Sequence, residues 1–129
     1  MATAHDWRTW LDHGNKYIKP CVPNKSKVKF FRPNIRYNLL SMAFESYVMG
    51  ILDYYKFLPE NHTYTDLIFA LENVTPLDSG LKSRILKYES IQSICSVDKF
   101  IITEPSEDDL SDLYSAVKEI SIMAHKICA

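Results

Sequence analysis

The chain has 129 residues, 47% of them apolar and 24% charged, with only three glycines and a net charge of −1. That length and balance fit one domain with a real core, and they exclude disordered, collagen-like and low-complexity classes. A near-zero net charge removes any global pull toward nucleic acid or membrane.

The charge is nevertheless uneven. The first sixty residues carry nine Lys/Arg against five Asp/Glu, and the rest carry six against eleven. Between Asp12 and Glu45 there is no acid, only Lys16, Lys19, Lys25, Lys27, Lys29, Arg32 and Arg36. Such a segment points weakly to a phosphate-bearing partner, and equally to a solvated loop balanced by the acidic half. Cys21, Cys95 and Cys128 are sparse, odd in number and form no Cys-x-x-Cys. Reduced thiols in a cytoplasmic protein are the expectation, with packing as the role of Cys95 and Cys128 on their apolar stripes. Residues 1–12 hold His5, Asp6, Arg8 and Asp12 where a secretory leader needs an apolar run. No stretch reaches the roughly 18 apolar residues of a membrane span.

Helix signals recur along the chain. Thr3 with Asp6, Thr63 with Asp66, and Ser106 with Asp109 each have capping-box spacing. The first helix is expected over 4–18, with Trp7, Trp10, Leu11, Tyr17 and Ile18 on its apolar side and Gly14 and Asn15 weakening its second half. The segment 19–33 holds Pro20, Pro23 and Pro33 and reads as a proline-rich basic loop. Connections this long are uncommon in compact domains and are usually functional or unstructured.

The second helix starts near Pro33, a good first-turn residue, and is expected to end before Pro59. Leu40, Phe44, Tyr47, Ile51, Tyr54 and Leu58 step by four and three along a core-facing seam, and Leu39, Ala43, Val48, Leu52 and Tyr55 broaden it. A helix apolar over so much of its circumference is central in a bundle or buries a second face in a dimer. The Tyr54–Tyr55 pair and the two tryptophans have ring faces that can stack bases, but their helical spacing reads first as core.

A third helix is expected over 64–73, before Pro76, and a fourth over 79–95 with Leu81, Ile85, Tyr88, Ile91 and Cys95 on one stripe. Residues 97–103 have strand propensity without a partner strand and read as loop or helix continuation. The last helix follows Pro105, with Leu110, Leu113, Val117, Ile120, Ala124 and Ile127 at three-four spacing. Ile122 falls on its outer face, where an exposed isoleucine marks a candidate dimer contact. The sum is a single all-α domain over 1–129, a four- to five-helix up-and-down bundle.

Several chemistries are missing from the sequence. There is no Glu-x-x-His pair for a di-metal bundle site, no zinc spacing, no P-loop, no glycine fingerprint and no Gly-x-Ser-x-Gly elbow. No metal site and no cofactor are expected.

One stretch carries a resemblance. Ala43-Phe44-Glu45-Ser46-Tyr47-Val48-Met49-Gly50-Ile51-Leu52 resembles the second helix of HEPN domains, where an Ala-x-Glu precedes an apolar helix end. Pro59-Glu60-Asn61-His62 and Thr65-Asp66-Leu67-Ile68 are similar to the family's proline, gap and His-Asp-Leu that leads to a short helix. The order of helices is similar over roughly 33–128. The chain departs from the family at Met49, where a lysine is often found. It departs more seriously on the last helix, where catalytic members carry Arg, four to six residues, then His. Here that helix has His125, and the nearest upstream base is Lys118. Arg8 and His13 have the right spacing but lie on the first helix.

Lys118 and His125 are seven residues apart, on one helix face and about 10 Å apart along the axis. In the family such a face lines a cleft between two protomers, where a His acts as general acid/base and a cation stabilises the phosphorane. Lysine lacks the planar fork that grips two phosphate oxygens. The plainer reading has His125 and Lys126 complementing a helix C-terminus. Glu45 either orients a cleft residue or points to solvent, and His62 belongs to the turn before the third helix.

The resemblance therefore implies a dimeric binding or regulatory module, with a nucleotidyltransferase-type partner protein, RNA or a nucleotide as its counterpart in a toxin–antitoxin setting. The lost arginine argues against ribonuclease activity. Two alternatives stand beside it. One is a metal-independent ribonuclease using His125 with Lys118 or Arg84. The other is an adaptor bundle that docks through its basic segment. The candidate ligand contacts are Lys25, Lys27, Lys29, Arg32 and Arg36, and the candidate catalytic pair is His125 and Lys118.

Overall fold

The computed structural model describes residues 6–22, 33–57, 59, 61–89 and 106–128. Among these residues there are five α-helices and no strand: α1 (Trp7–Ile18), α2 (Pro33–Tyr54), α3 (Tyr64–Val74), α4 (Ser79–Leu86) and α5 (Glu107–Ile127), with a 3-10 turn over Lys19–Cys21 after α1. The all-α bundle expected from the periodicities is what the chain forms. The basic residues Lys25, Lys27, Lys29 and Arg32, Cys95, and the ambiguous 97–103 segment lie outside the described residues.

The starts of α3 and α5 follow the capping signals, whereas α1 begins at Trp7 with Asp6 as its cap, and Thr3 lies outside the described residues. Asp6 caps α1, its carboxylate accepting from the backbone N–H of Arg8 and Thr9. Thr63 caps α3 and accepts from the N–H of Asp66. Ser106 and Asp109 form a reciprocal capping box on α5. Each satisfies backbone donors that a helix start leaves without a partner.

α2 is the centre of the molecule. Leu40, Ala43, Phe44, Tyr47, Val48, Ile51 and Leu52 are almost fully buried, as the seam requires. The helix stops earlier than the seam suggested. Lys56 adopts φ 60°, the Phe57 N–H bonds to Leu52 O at 2.9 Å, and the Lys56 N–H bonds to Asp53 O at 3.1 Å. This is a Schellman end with lysine at the left-handed position that normally favours glycine. Because the chain turns there, Tyr54, Tyr55 and Phe57 are exposed instead of joining the core. The two tryptophans do pack against the core.

α1 lies antiparallel to α2. Gly14 meets the Tyr47 ring, Gly50 meets Leu11 and Trp10, and the Trp7 and Tyr54 rings meet edge to face with centroids 5.7 Å apart. A Cβ on Gly14 would stand 2.7 Å from Tyr47, so the residue that weakens α1 locally is the one that lets the two helices close. α5 runs in the same direction as α2. Arg36 and Glu107 pair at their starts, and the Cys128 thiol faces Gly50 O at 3.7 Å at their ends. α4 is tied to α5 by Arg84, which bonds Asp112 and Glu119, and by the Tyr88 hydroxyl, which donates to Asp112 at 2.6 Å. Burial pushes the Cys21 and Cys128 thiols up to about 11, which keeps both protonated at neutral pH, in keeping with a packing role.

Candidate functional site

Two polar clusters carry the residues singled out in the sequence, one on each side of α2. Glu45 and Tyr47 are two positions apart, about 200° around the helix, so their side chains leave α2 on opposite sides.

On the Tyr47 side, α1, α2 and α5 meet around His125. The imidazole Nδ1–H donates to Ser121 O, 2.8 Å away, one turn back on its own helix. With Nδ1 as the donor, Nε2 is the nitrogen left to accept. The Asn15 amide donates to this Nε2 at 3.3 Å, and the Tyr47 hydroxyl donates to Asn15 Oδ1 at 2.6 Å. The Tyr47 and His125 rings meet edge to face with centroids 5.9 Å apart. Burial raises the Tyr47 hydroxyl above its ordinary value, which keeps it a donor. The chain of donors thus runs Tyr47, Asn15, His125, Ser121. Asn15, read in the sequence only as a weak helix residue, is the bridge.

Of the cations weighed for His125, Lys118 shares its exposed face of the last helix, whereas Arg84 is held elsewhere. Lys118 is exposed on the outer face of α5, with no carboxylate partner among the described residues. Arg84 bonds to two carboxylates, Asp112 and Glu119, which hold it protonated. Arg36 is buried, and its guanidinium forms a two-pronged pair with Glu107, one arm at 2.8 Å. Its place is structural, not on an accessible basic surface. It also sits at the far end of α5 from His125, about 27 Å along the axis for eighteen residues. Lys118, Ile122 and His125 do form one exposed stripe, with Ile122 60% exposed. Arg8 and His13, the spacing match on α1, are otherwise engaged. Arg8 sits over the Trp7 ring at 4.3 Å, and His13 lies edge-on between Trp10 and Tyr17.

On the Glu45 side, α2 and the start of α3 enclose a notch of about 300 Å3 lined by Asn38, Ser41, Met42, Glu45, His62, Tyr64 and Leu67. Glu45 Oε2 accepts from the His62 Nδ1–H. His62 stands in the turn before α3, as its position suggested, and Glu45 finds a ring there in place of open solvent. Ser41 and the Tyr64 hydroxyl are hydrogen-bonded below them. Tyr64 is 2% exposed and packs edge to face on Phe44, and burial holds its hydroxyl well above the ordinary value. The two segments that carry the HEPN resemblance, Ala-x-Glu on one helix and the histidine after the proline, therefore touch each other.

Among the described residues, no group of three or more His, Cys, Asp and Glu could hold a metal ion, and no helix is long and apolar enough to cross a membrane. No protein-family model, curated protein or solved structure matches the chain.

Proposed function

We propose that this chain is a HEPN-like helical binding or regulatory module that works as a homodimer and does not cleave RNA. The observation that carries this reading is the state of His125. A metal-independent ribonuclease needs a base with a free lone pair and a cation on the phosphorane. Here the Nε2 lone pair accepts from Asn15 and Nδ1–H is held by Ser121. Arg84, the arginine the ribonuclease reading would use, is held by two carboxylates. The Glu45–His62 contact supports the resemblance, because two motifs seventeen residues apart meet in space. The exposed Lys118–Ile122–His125 stripe is the face for a second copy. RNA, a nucleotide or a nucleotidyltransferase-type protein is the further partner the resemblance implies.

Size-exclusion chromatography with light scattering, alone and with a short single-stranded RNA at low salt, tests this. A dimer that Ile122→Asp converts to a monomer is the expected result, with no RNA cleavage in metal-free buffer. Cleavage that disappears in His125→Ala would instead establish the ribonuclease. A monomer indifferent to RNA would leave the adaptor reading.

A further inference from the structure

The outward face of α5 carries a regular pattern that the single chain leaves open. Asp108, Ser111, Ser115, Lys118, Ile122 and His125 step by three and four, and all six are exposed. They fall within about 100° of arc, on the side of the helix away from the buried Ala116, Val117 and Ile120. Three-four spacing along one open face is the spacing by which two helices interlock.

Charge along this face runs from acid to base. The first turn of α5 holds Glu107, Asp108 and Asp109, and the last turn holds His125 and Lys126. Several charges of the helix are engaged within the chain. Glu107 pairs with Arg36, Asp112 and Glu119 pair with Arg84, and Asp109 closes the capping box. Asp108, Lys118 and Lys126 are exposed and have no ion-pair partner among the described residues.

These charges select an orientation for a second copy. A copy laid alongside in the same direction sets Asp108 against Asp108 and Lys118 against Lys118. Turned end for end, the acidic turn of each α5 meets the basic turn of the other, and the two helix dipoles also oppose.

Resting on the homodimer reading, we infer that two copies join through α5 packed antiparallel about a two-fold axis, in one register. Asp108 meets the partner's His125 and Lys126. Ser111 takes the partner's Ile122, and Ser115 lies beside the partner's Lys118. The two-fold axis makes each contact occur twice. Ile122, the large apolar side chain of the stripe and 60% exposed in one chain, thus enters the space over a small residue. The Lys118 stem crosses Ser115 and carries its ammonium out to water. The axis passes α5 between Ala116 and Val117, so the two His125 rings stand about 25 Å apart along the helices. They line no common cleft, and each faces a carboxylate of the other copy.

Dimer dissociation of the full-length protein is measured by sedimentation over a concentration series. Asp108→Lys and Lys126→Glu, both at exposed positions, should each weaken the dimer about threefold or more, because each sets like charges together twice. Circular dichroism checks that both stay folded. An equimolar mixture of the two variants should recover the parent affinity, since the mixed pair has opposite charges at both ends. A Ser111→Cys/Ile122→Cys variant, in a Cys95→Ser background, should form a disulfide-linked dimer under mild oxidation, while Cys21 and Cys128 stay buried. Neither single cysteine should do so. The two positions are about 16 Å apart on one helix, too far for an internal bond. Parent affinity in both charge variants, a mixture no tighter than its components, no cross-link in the double variant, or a cross-link from Ile122→Cys alone would each overturn the register. A parent that dimerises with any of these outcomes keeps the homodimer reading and loses only this one. A monomeric parent ends both.

Discussion

The two sides of α2 place a histidine in opposite situations. On the Tyr47 side, three helices meet beside the exposed His125 ring, and Ser121 and Asn15 engage both ring nitrogens. On the Glu45 side, two segments leave a notch, and His62 has one nitrogen held and one facing outward. The difference arises from backbone approach. Gly14 and Gly50 let α1 come close to α2, so polar groups there meet one another. No glycine stands in α3, and a notch remains between it and α2. A histidine on a last helix attracts functional attention, yet the ring with one nitrogen left outward is the histidine in a turn.

The largest expected effect tests whether close approach really builds the closed side. Gly14→Ala places a Cβ 2.7 Å from a fully buried Tyr47 ring that has no room to retreat. Overpacking of this kind costs about 1–3 kcal/mol, partly offset by up to about 1 kcal/mol of better helix propensity. A net loss of about 1–2 kcal/mol in urea unfolding is expected. Gly50→Ala meets the end of the Leu11 side chain at 2.9 Å, which can rotate, and Trp10 Cβ at a milder 3.3 Å. Its stability should stay within about 1 kcal/mol of the parent. Equal losses in the two variants would break the assignment of Gly14 as the closing residue.

The charged pair at the start of α2 and α5 gives the next effect and a pH signature. The hydrogen bonds from Arg36 hold Glu107 below its ordinary value of 4.5. A carboxyl lowered in the fold stabilises above its unfolded value and loses that contribution as pH falls through the folded one. Glu107 is largely exposed, with 70% of its side chain open, so solvent screening trims the gain. Glu107→Gln should therefore cost about 1 kcal/mol at neutral pH. The gap between variant and parent should close as the pH drops below 4.5. A gap that persists in acid would mean that the pair contributes through shape alone. The notch should not respond, so unchanged His62 resonances in this variant sharpen the contrast between the sides.

Much of the closed side was legible and little of the open side was. The seam from Leu40 to Ile51 and the run from Leu110 to Ala124 are periodic, and burial follows period directly. The caps at Thr63 and Ser106 are local hydrogen bonds between residues three apart, so spacing alone reveals them. Asn15, Arg36 and Arg84 make contacts that the sequence does not announce, for one reason. Their partners lie 110, 71 and 28 residues away, and no pattern in one sequence announces such pairs. Glu45 and His62 were each noticed, but only the turn after α2 brings them together. That turn was itself illegible, because a lysine carries no stop signal.

The smallest effect concerns that turn. Lys56 sits at φ 60°, where an L side chain is strained by roughly 1 kcal/mol and glycine is not. Glycine returns part of the gain through the greater freedom of its unfolded chain. Lys56→Gly should raise stability by about 0.5 kcal/mol, a small upward shift of the urea midpoint. The Schellman bonds from Phe57 to Leu52 and from Lys56 to Asp53 are backbone bonds and survive the change. The reverse experiment is sharper. Lys56→Val puts a β-branched residue at the same angle, which is a genuine outlier, and should cost more than the lysine does. If the turn aims the chain so that His62 meets Glu45, the valine variant should disturb the His62 ring resonances while leaving those of His125 in place. Equal disturbance of both rings would show that the two sides of α2 are one cooperative unit and not two.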